Sequence, residues 1–97
     1  MDLLDASYQI PAHVLATPAG EEMAILDVEQ DRYLSLNKSG AKIWEFLNQG
    51  LTGRQVVDQI AQEYDIDRSR LEHDTFVLLT DLVDRGMIQI ANGNAAE

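Results

Sequence analysis

The segment from residue 27 to residue 37 constrains the fold more than any other stretch. It contains, in order, the end of one strand, a tight turn, a second strand and the cap of a helix. The leucines Leu34 and Leu36 alternate with more polar side chains, so the second strand can bury one face. No strand-like segment follows until residue 87. The pattern therefore predicts a strand at the edge of its sheet, with unpaired backbone N–H and C=O groups.

Two further strands are predicted before this one, at residues 13–17 and 22–28. Pro18 and Gly20 mark a turn over residues 18–21, because proline fixes φ and glycine adopts positive φ without strain. The run after this turn is almost continuously apolar, which is typical of a strand in the middle of a sheet. We therefore predict a three-stranded antiparallel meander.

Three helices are predicted after the meander. Asn37 or Ser39, then Thr52 and then Asp67 are residues that cap helix N-termini, and apolar side chains recur at helical spacing after each. Gly50 and Gly86 are placed to end the first and third helices. Strands followed by helices indicate an α+β domain. The helices are expected to cover one face of the sheet, with Trp44 or Phe46 against it, because three strands alone are marginally stable.

The chain is short enough to form a single domain, which we place at residues 13–91. Residues 1–12 form an N-terminal arm, either flexible or contributing a short added strand. Residues 87–91 are a candidate for a short last strand, and residues 92–97 for a frayed tail.

The charge balance limits the partners. The chain has 17 acidic and 7 basic side chains, a net charge of −10. Phosphate backbones attract lysine and arginine, so the negative charge disfavours nucleic acid as a partner of this surface. A basic peptide or protein fits better, although acidity also simply keeps small proteins soluble. No secretion signal or membrane-spanning run is visible, and a cytoplasmic protein is expected.

Catalytic patterns are missing from the sequence. There is no cysteine, and His13 and His73 are not in metal-binding motifs. The acids Asp27, Glu29 and Asp31 alternate in a turn that lacks the glycine and terminal glutamate of a calcium-binding loop. We therefore predict a binding protein, not an enzyme, with no metal and no cofactor.

The predicted binding site is a groove between the edge strand and the third helix. An extended peptide would add as a fourth strand and bond to the main chain of the edge. The third helix would form the other wall, where Val77 lies between two acids at helical spacing, Asp74 and Asp81. This wall suits an apolar anchor with neighbouring Lys or Arg; the alternative is an isolated exposed valine beside solvated acids. The predicted site residues are Arg32, Tyr33, Leu34 and Ser35 on the strand and Asp74, Val77, Leu78 and Asp81 on the helix.

The order of motifs resembles the PqqD-like family over about residues 13–90. The resemblance is carried by Leu-Asp, a turn, Tyr-x-x-Leu-Asn, x-x-Gly and x-x-Ile-Trp, which correspond to Leu26-Asp27, Tyr33, Leu36-Asn37, Gly40 and Ile43-Trp44. Where many relatives have glycine before the tyrosine, this chain has Asp31. Aspartate tolerates left-handed geometry, so the turn is expected to persist.

The resemblance implies a winged-helix-like RiPP recognition element, which binds the leader of a ribosomally made precursor peptide. It is most similar to the discrete leader-binding proteins of lasso peptide pathways. That implies two partners, a leader peptidase of the cysteine protease type and an ATP-dependent macrolactam synthetase, and leaders with a Tyr-x-x-Pro element. Because an exposed strand edge can also pair with itself, a monomer or a weak dimer is expected. The alternatives are a PqqD-type peptide chaperone for a radical enzyme and a winged-helix DNA-binding protein.

Overall fold

A computed structural model describes residues 2–91 as five strands and three α-helices. A short 3-10 helix, Leu3–Asp5, precedes β1. The strands are β1 (Tyr8–Gln9), β2 (Val14–Ala19), β3 (Glu22–Asp27), β4 (Arg32–Leu36) and β5 (Gln89–Ile90). The helices are α1 (Lys38–Asn48), α2 (Gly53–Glu63) and α3 (Arg68–Asp84). The predicted α+β class, a three-stranded sheet followed by three helices, is confirmed.

The main sheet is the predicted antiparallel meander, with the order β2-β3-β4. Its inner face carries Met23, Ile25 and Leu36, which are buried against the helices. The predicted turn at residues 18–21 is shorter than expected, because β2 continues through Pro18 and Ala19. Proline is tolerated there because β2 is an edge strand, in which one N–H per pair of residues needs no partner.

The helices begin where capping side chains were predicted. The Asn37 side chain accepts a hydrogen bond from the Gly40 N–H at 2.9 Å, so Asn37 and not Ser39 caps α1. Thr52 and Gln55 form a reciprocal capping box on α2. Asp67 accepts from the Ser69 N–H at 3.1 Å and caps α3. The helices bury Trp44, with 2% of its surface exposed, while Phe46 packs at the edge of the core.

The N-terminal arm is packed against the domain. Leu4, Ala6 and Tyr8 are buried, and β1 pairs with β5 in a separate two-stranded sheet, Tyr8 opposite Ile90. Arg54 on α2 forms ion pairs with Asp5 at 2.8 Å and Asp2 at 3.5 Å. The predicted last strand thus exists, and its partner is the arm. The predicted frayed tail, 92–97, lies outside the described residues.

Within residues 2–91, no helix combines the length and the apolar character required to cross a bilayer.

Candidate functional site

The outer edge of β4 is unpaired in the described part of the chain. β4 pairs with β3 on one side, and β5, the only later strand among residues 2–91, pairs with β1 instead. The backbone groups on the outer side of β4 therefore have no strand partner in that range. Such an edge is a template for pairing with another extended chain.

A groove with a volume of about 830 Å³ lies between β4 and α3. A methyl group on Gly86, just past the end of α3, would lie 4.0 Å from Nε2 of Gln30 in the β3–β4 turn. The C-terminal end of α3 thus lies beside the β3–β4 turn, which leads into the start of β4.

The structure brings six of the eight predicted site residues to this groove. They are Leu34, Ser35, Asp74, Val77, Leu78 and Asp81. Leu34 and Leu78 are half-buried and pack against the core, whereas Val77 is 51% exposed. The apolar part of the groove therefore consists of Leu34 and Leu78, which the core holds in place, and the exposed side chain of Val77, which a bound peptide can contact.

The other two predicted residues do not line the groove with their side chains. Tyr33 is 66% exposed and lies opposite Leu26, on the outer face of the sheet. Arg32, at the first position of β4, lies opposite Asp27 and is exposed. A peptide strand added to β4 would contact only the backbone groups of Arg32 and Tyr33. Their part in peptide binding stays a prediction.

Ion pairs along α3 offset two of the groove's acids. Nε of Arg70 lies 3.7 Å from a carboxylate oxygen of Asp74, and Nε of Arg85 lies 2.9 Å from one of Asp81. Both pairs join residues one helical turn apart and remain in contact with solvent, so each stabilises the helix by only a few tenths of a kcal/mol.

Sequence reasoning missed several residues that also line the groove. They include Arg70, Phe76, Thr80 and Asp84 on α3, and Asn37 and Ser39 at the start of α1. Asp84 follows Asp81 by three positions, and this helical spacing was a signal for it. The contribution of α1 had no such signal, because it depends on how the helix packs behind β4.

The turn that connects β3 to β4 is held by hydrogen bonds to a buried carboxylate. Oδ1 of Asp27 accepts hydrogen bonds from the N–H groups of Glu29 and Gln30, both at 3.1 Å. Nε2 of His13 lies 3.9 Å from the same oxygen. Asp31 completes the turn with φ at 55°, the left-handed conformation that aspartate tolerates. The expected persistence of the turn with Asp31 is therefore confirmed.

The outer face of the sheet carries a row of exposed apolar side chains. Leu15, Leu26 and Tyr33 are cross-strand partners on β2, β3 and β4, and Val28 follows in the turn. No element among residues 2–91 covers this row, as the exposure of all four side chains shows. An uncovered apolar row of this kind is typical of a protein–protein contact.

No group of three or more His, Cys, Asp or Glu side chains in the described range is arranged to hold a metal ion.

Two solved structures share this fold. One, TbiB1 in complex with the TbiA(beta) leader peptide, is 27% identical with a TM-score of 0.78, covering 91% of this chain and 99% of that chain. The other, lasso peptide synthetase B1 complexed with the leader peptide, is 26% identical with a TM-score of 0.78, covering 87% and 99%. Both therefore match this chain over nearly their whole length.

The search of curated proteins gives no match to this chain. The family model described as coenzyme PQQ synthesis protein D (PqqD) matches residues 22–88, from the start of β3 to the residue before β5. This range contains the edge strand, both walls of the groove and the turn that Asp27 organises. The chain therefore belongs to the PqqD family.

Proposed function

We propose that this protein binds the leader segment of a ribosomally made precursor peptide, of the lasso class, by strand addition at β4. The observation that carries the proposal is the unpaired edge of β4 beside the groove lined by α3. The same fold, at 27% and 26% identity, holds a leader peptide in two solved structures. The protein acts as a binding module and performs no chemistry itself.

Binding combines main-chain and side-chain contacts. A disordered leader loses conformational entropy when it becomes a strand, and hydrogen bonds to the β4 backbone offset that loss. Alternate side chains of the leader then face α3. An apolar one fits against Leu34, Val77 and Leu78, where burial of its surface adds affinity. Hydrogen bonds to the backbone of β4 thus hold the leader as an added strand, and side-chain contacts in the groove determine which leader binds.

The bound leader is delivered to a partner leader peptidase of the cysteine protease type, and afterwards to a macrolactam synthetase. Holding the leader on a protein that also contacts the peptidase raises the effective concentration of the cleavage site. The exposed row Leu15, Leu26 and Tyr33 is the candidate contact surface, because it lies on the face of the sheet opposite the core. A leader strand beside β4 would extend that face, so the peptidase would contact both.

Titration with synthetic leaders tests the proposal. The probes are leader segments of the precursor peptides encoded in the same genome, with a scrambled version of each as a control, and binding is measured by calorimetry. We expect saturable binding of one leader and shifts of backbone amide resonances in β4 and α3. Binding without shifts in β4, or no binding of any leader, would contradict strand addition at this edge.

A matched pair of variants locates the site. Val77→Gln changes an exposed valine in the groove, and Val28→Gln changes one outside it, with 51% and 61% of their surfaces exposed. Only the first should lower affinity for the leader. Equal affinity in both variants would place the leader elsewhere.

A second candidate is a PqqD-type chaperone that presents a precursor to a radical enzyme. The description of the matching family model favours it. Both candidates use the same groove, so the partner separates them: co-purification with a radical enzyme, and not with a leader peptidase, would support the second.

A further inference from the structure

Asp84 differs from the other acids of the groove. Asp74 and Asp81 each have an arginine one turn away on α3, whereas Asp84 has no ion-pair partner among residues 2–91. Asp84 is exposed and lines the groove between β4 and α3. The groove therefore contains one carboxylate whose charge the described protein does not offset.

The position of Asp84 on the helix is electrostatically unfavourable. It is the last residue of α3, whose final turn contains no basic side chain. The helix dipole makes that end partially negative, which disfavours an acid there, although the carbonyl groups of Asp81, Leu82 and Val83 accept hydrogen bonds from the N–H groups of residues 85–87. A cation bound at this place would be attracted by the carboxylate and by the helix end together. The unpaired carboxylate and its place at the helix end together favour a positively charged group of the bound peptide.

The positions of Val77 and Asp84 on α3 determine which residue of the bound leader would carry the positive charge. Val77 and Asp84 are separated by seven residues, which is about 10 Å along a helix. An extended strand rises about 3.3 Å per residue, so this distance corresponds to about three residues. Side chains on one face of a strand are spaced by two, so a long basic side chain two or four residues from the apolar anchor reaches Asp84. Because the C-terminal end of α3 is beside the β3–β4 turn, the basic residue lies on that side of the anchor.

We propose that Asp84 makes the groove selective for a leader that carries Lys or Arg two or four residues from its apolar anchor, on the side of the β3–β4 turn. This inference rests on the proposed function, since it concerns the guest of the same groove. It assigns the preference for a basic residue to Asp84 and not to Asp74 or Asp81, whose charges are offset by Arg70 and Arg85.

The test uses the tightest-binding leader from the titration panel. Residues two and four positions on either side of its anchor are replaced singly by Lys, Gln or Glu, and dissociation constants are measured at low and at moderate salt. The protein variants are Asp84→Asn and, as a matched control, Asp65→Asn. Asp65 is an exposed acid between α2 and α3 that does not line the groove, so both variants change the net charge equally.

We expect Lys to bind about two- to fivefold more tightly than Gln at one position on one side of the anchor, and Glu more weakly, as for exposed ion pairs. Asp84→Asn should remove this difference and Asp65→Asn should keep it. In the unmodified protein, higher salt should reduce the difference in affinity between the Lys and Gln peptides. Equal binding of the Lys and Glu peptides, or a difference that persists in Asp84→Asn, would overturn the role of Asp84 while leaving leader binding intact. Failure of every leader to bind would instead overturn the proposed function, and this inference with it.

Discussion

Leu26 on β3 and Tyr33 on β4 are cross-strand partners, and both side chains lie on the face of the sheet that the helices leave uncovered. The neighbouring Leu34 faces the other way, into the groove. Since side chains alternate along a strand, β4 presents Leu34 to the groove and Tyr33 to the opposite face. In the proposed mode of binding, the outer edge of β4 would contact the leader through backbone atoms alone.

This separation predicts the behaviour of Tyr33→Thr. Threonine keeps strand propensity and removes the exposed ring. Leader affinity, measured by calorimetry, should stay within about twofold, since exposed side-chain changes contribute little at a site they do not touch. Binding of the peptidase should weaken, because an exposed aromatic side chain often dominates a contact. A strong loss of leader affinity would show that the ring itself contacts the leader.

Proline at Ser35 tests the edge directly. Proline lacks the N–H group and cannot donate to an added strand, so Ser35→Pro should abolish leader binding if that N–H faces the guest. Ser35→Thr should bind normally, and thermal unfolding of both variants checks that the domain is folded. As a test independent of folding, N-methylation of successive leader amides should weaken binding at every second position. Uniform tolerance of N-methylation would mean that the leader does not bind as a strand.

Removing either offset acid of the groove should weaken leader binding without unfolding the domain. Asp74→Ala leaves Arg70 unpaired on the wall of the groove, and Asp81→Ala leaves Arg85 unpaired next to it, and each free arginine repels a basic leader. The expected loss is about two- to fivefold, as for an exposed charge interaction. Asp58→Ala is the control, because Asp58 pairs with Arg68 outside the groove. Affinity equal to that of the control would remove both acids from the site.

Trp44 should contribute strongly to stability. Its side chain is buried in the hydrophobic core, so Trp44→Ala should lower the free energy of unfolding by roughly 3–5 kcal/mol. Urea denaturation measures this loss. Gln59→Ala, a change at an exposed position of α2, should alter stability by less than about 0.5 kcal/mol. An unchanged unfolding free energy in Trp44→Ala would contradict the packing of α1 on the sheet.

The N-terminal arm should make stability sensitive to alkaline pH. Burial, together with the nearby Asp2 carboxylate, raises the pKa of Tyr8 to about 12, above the ordinary value of 10.0. The folded state thus favours the neutral phenol, and this contribution is complete below pH 10 and lost as the pH rises towards 12. The free energy of unfolding should fall by about 2 kcal/mol more in the unmodified protein than in Tyr8→Phe. The exposed Tyr64 provides the control Tyr64→Phe, which should keep the full pH dependence.

Local signals were sufficient to predict most of the fold. The alternation of Leu34 and Leu36 indicated a strand with one buried face, and the caps Asn37, Thr52 and Asp67 located the helix starts to within a residue. These features depend on neighbouring residues only. The long gap before the next strand-like segment likewise predicted an unpaired edge, which the structure contains.

Features that depend on distant contacts were not predictable in the same way. The pairing of Tyr8 with Ile90 and the burial of Leu4 arise because the arm packs on α2 and α3, and neither leaves a local pattern. Gly53 is an example of the same limit: a methyl group there would lie 2.9 Å from Leu79 Cδ1 and 3.0 Å from the backbone of Leu4. The need for glycine at this position depends on the packing of α2 against α3 and the 3-10 helix, so the local sequence does not indicate it. The side chains that complete the groove were partly missed because they depend on how α3 and α1 lie beside β4.

Pro18 has a consequence for how copies of this protein can associate. It interrupts the row of amide donors on β2, the other border of the meander, so that border is a poor template for a further chain. Two copies that met would join β4 to β4, and within the meander the remaining border, β2, would not readily extend that pair into a filament. A bound leader would block that pairing, so the loaded protein would stay monomeric at concentrations where the empty one begins to dimerise.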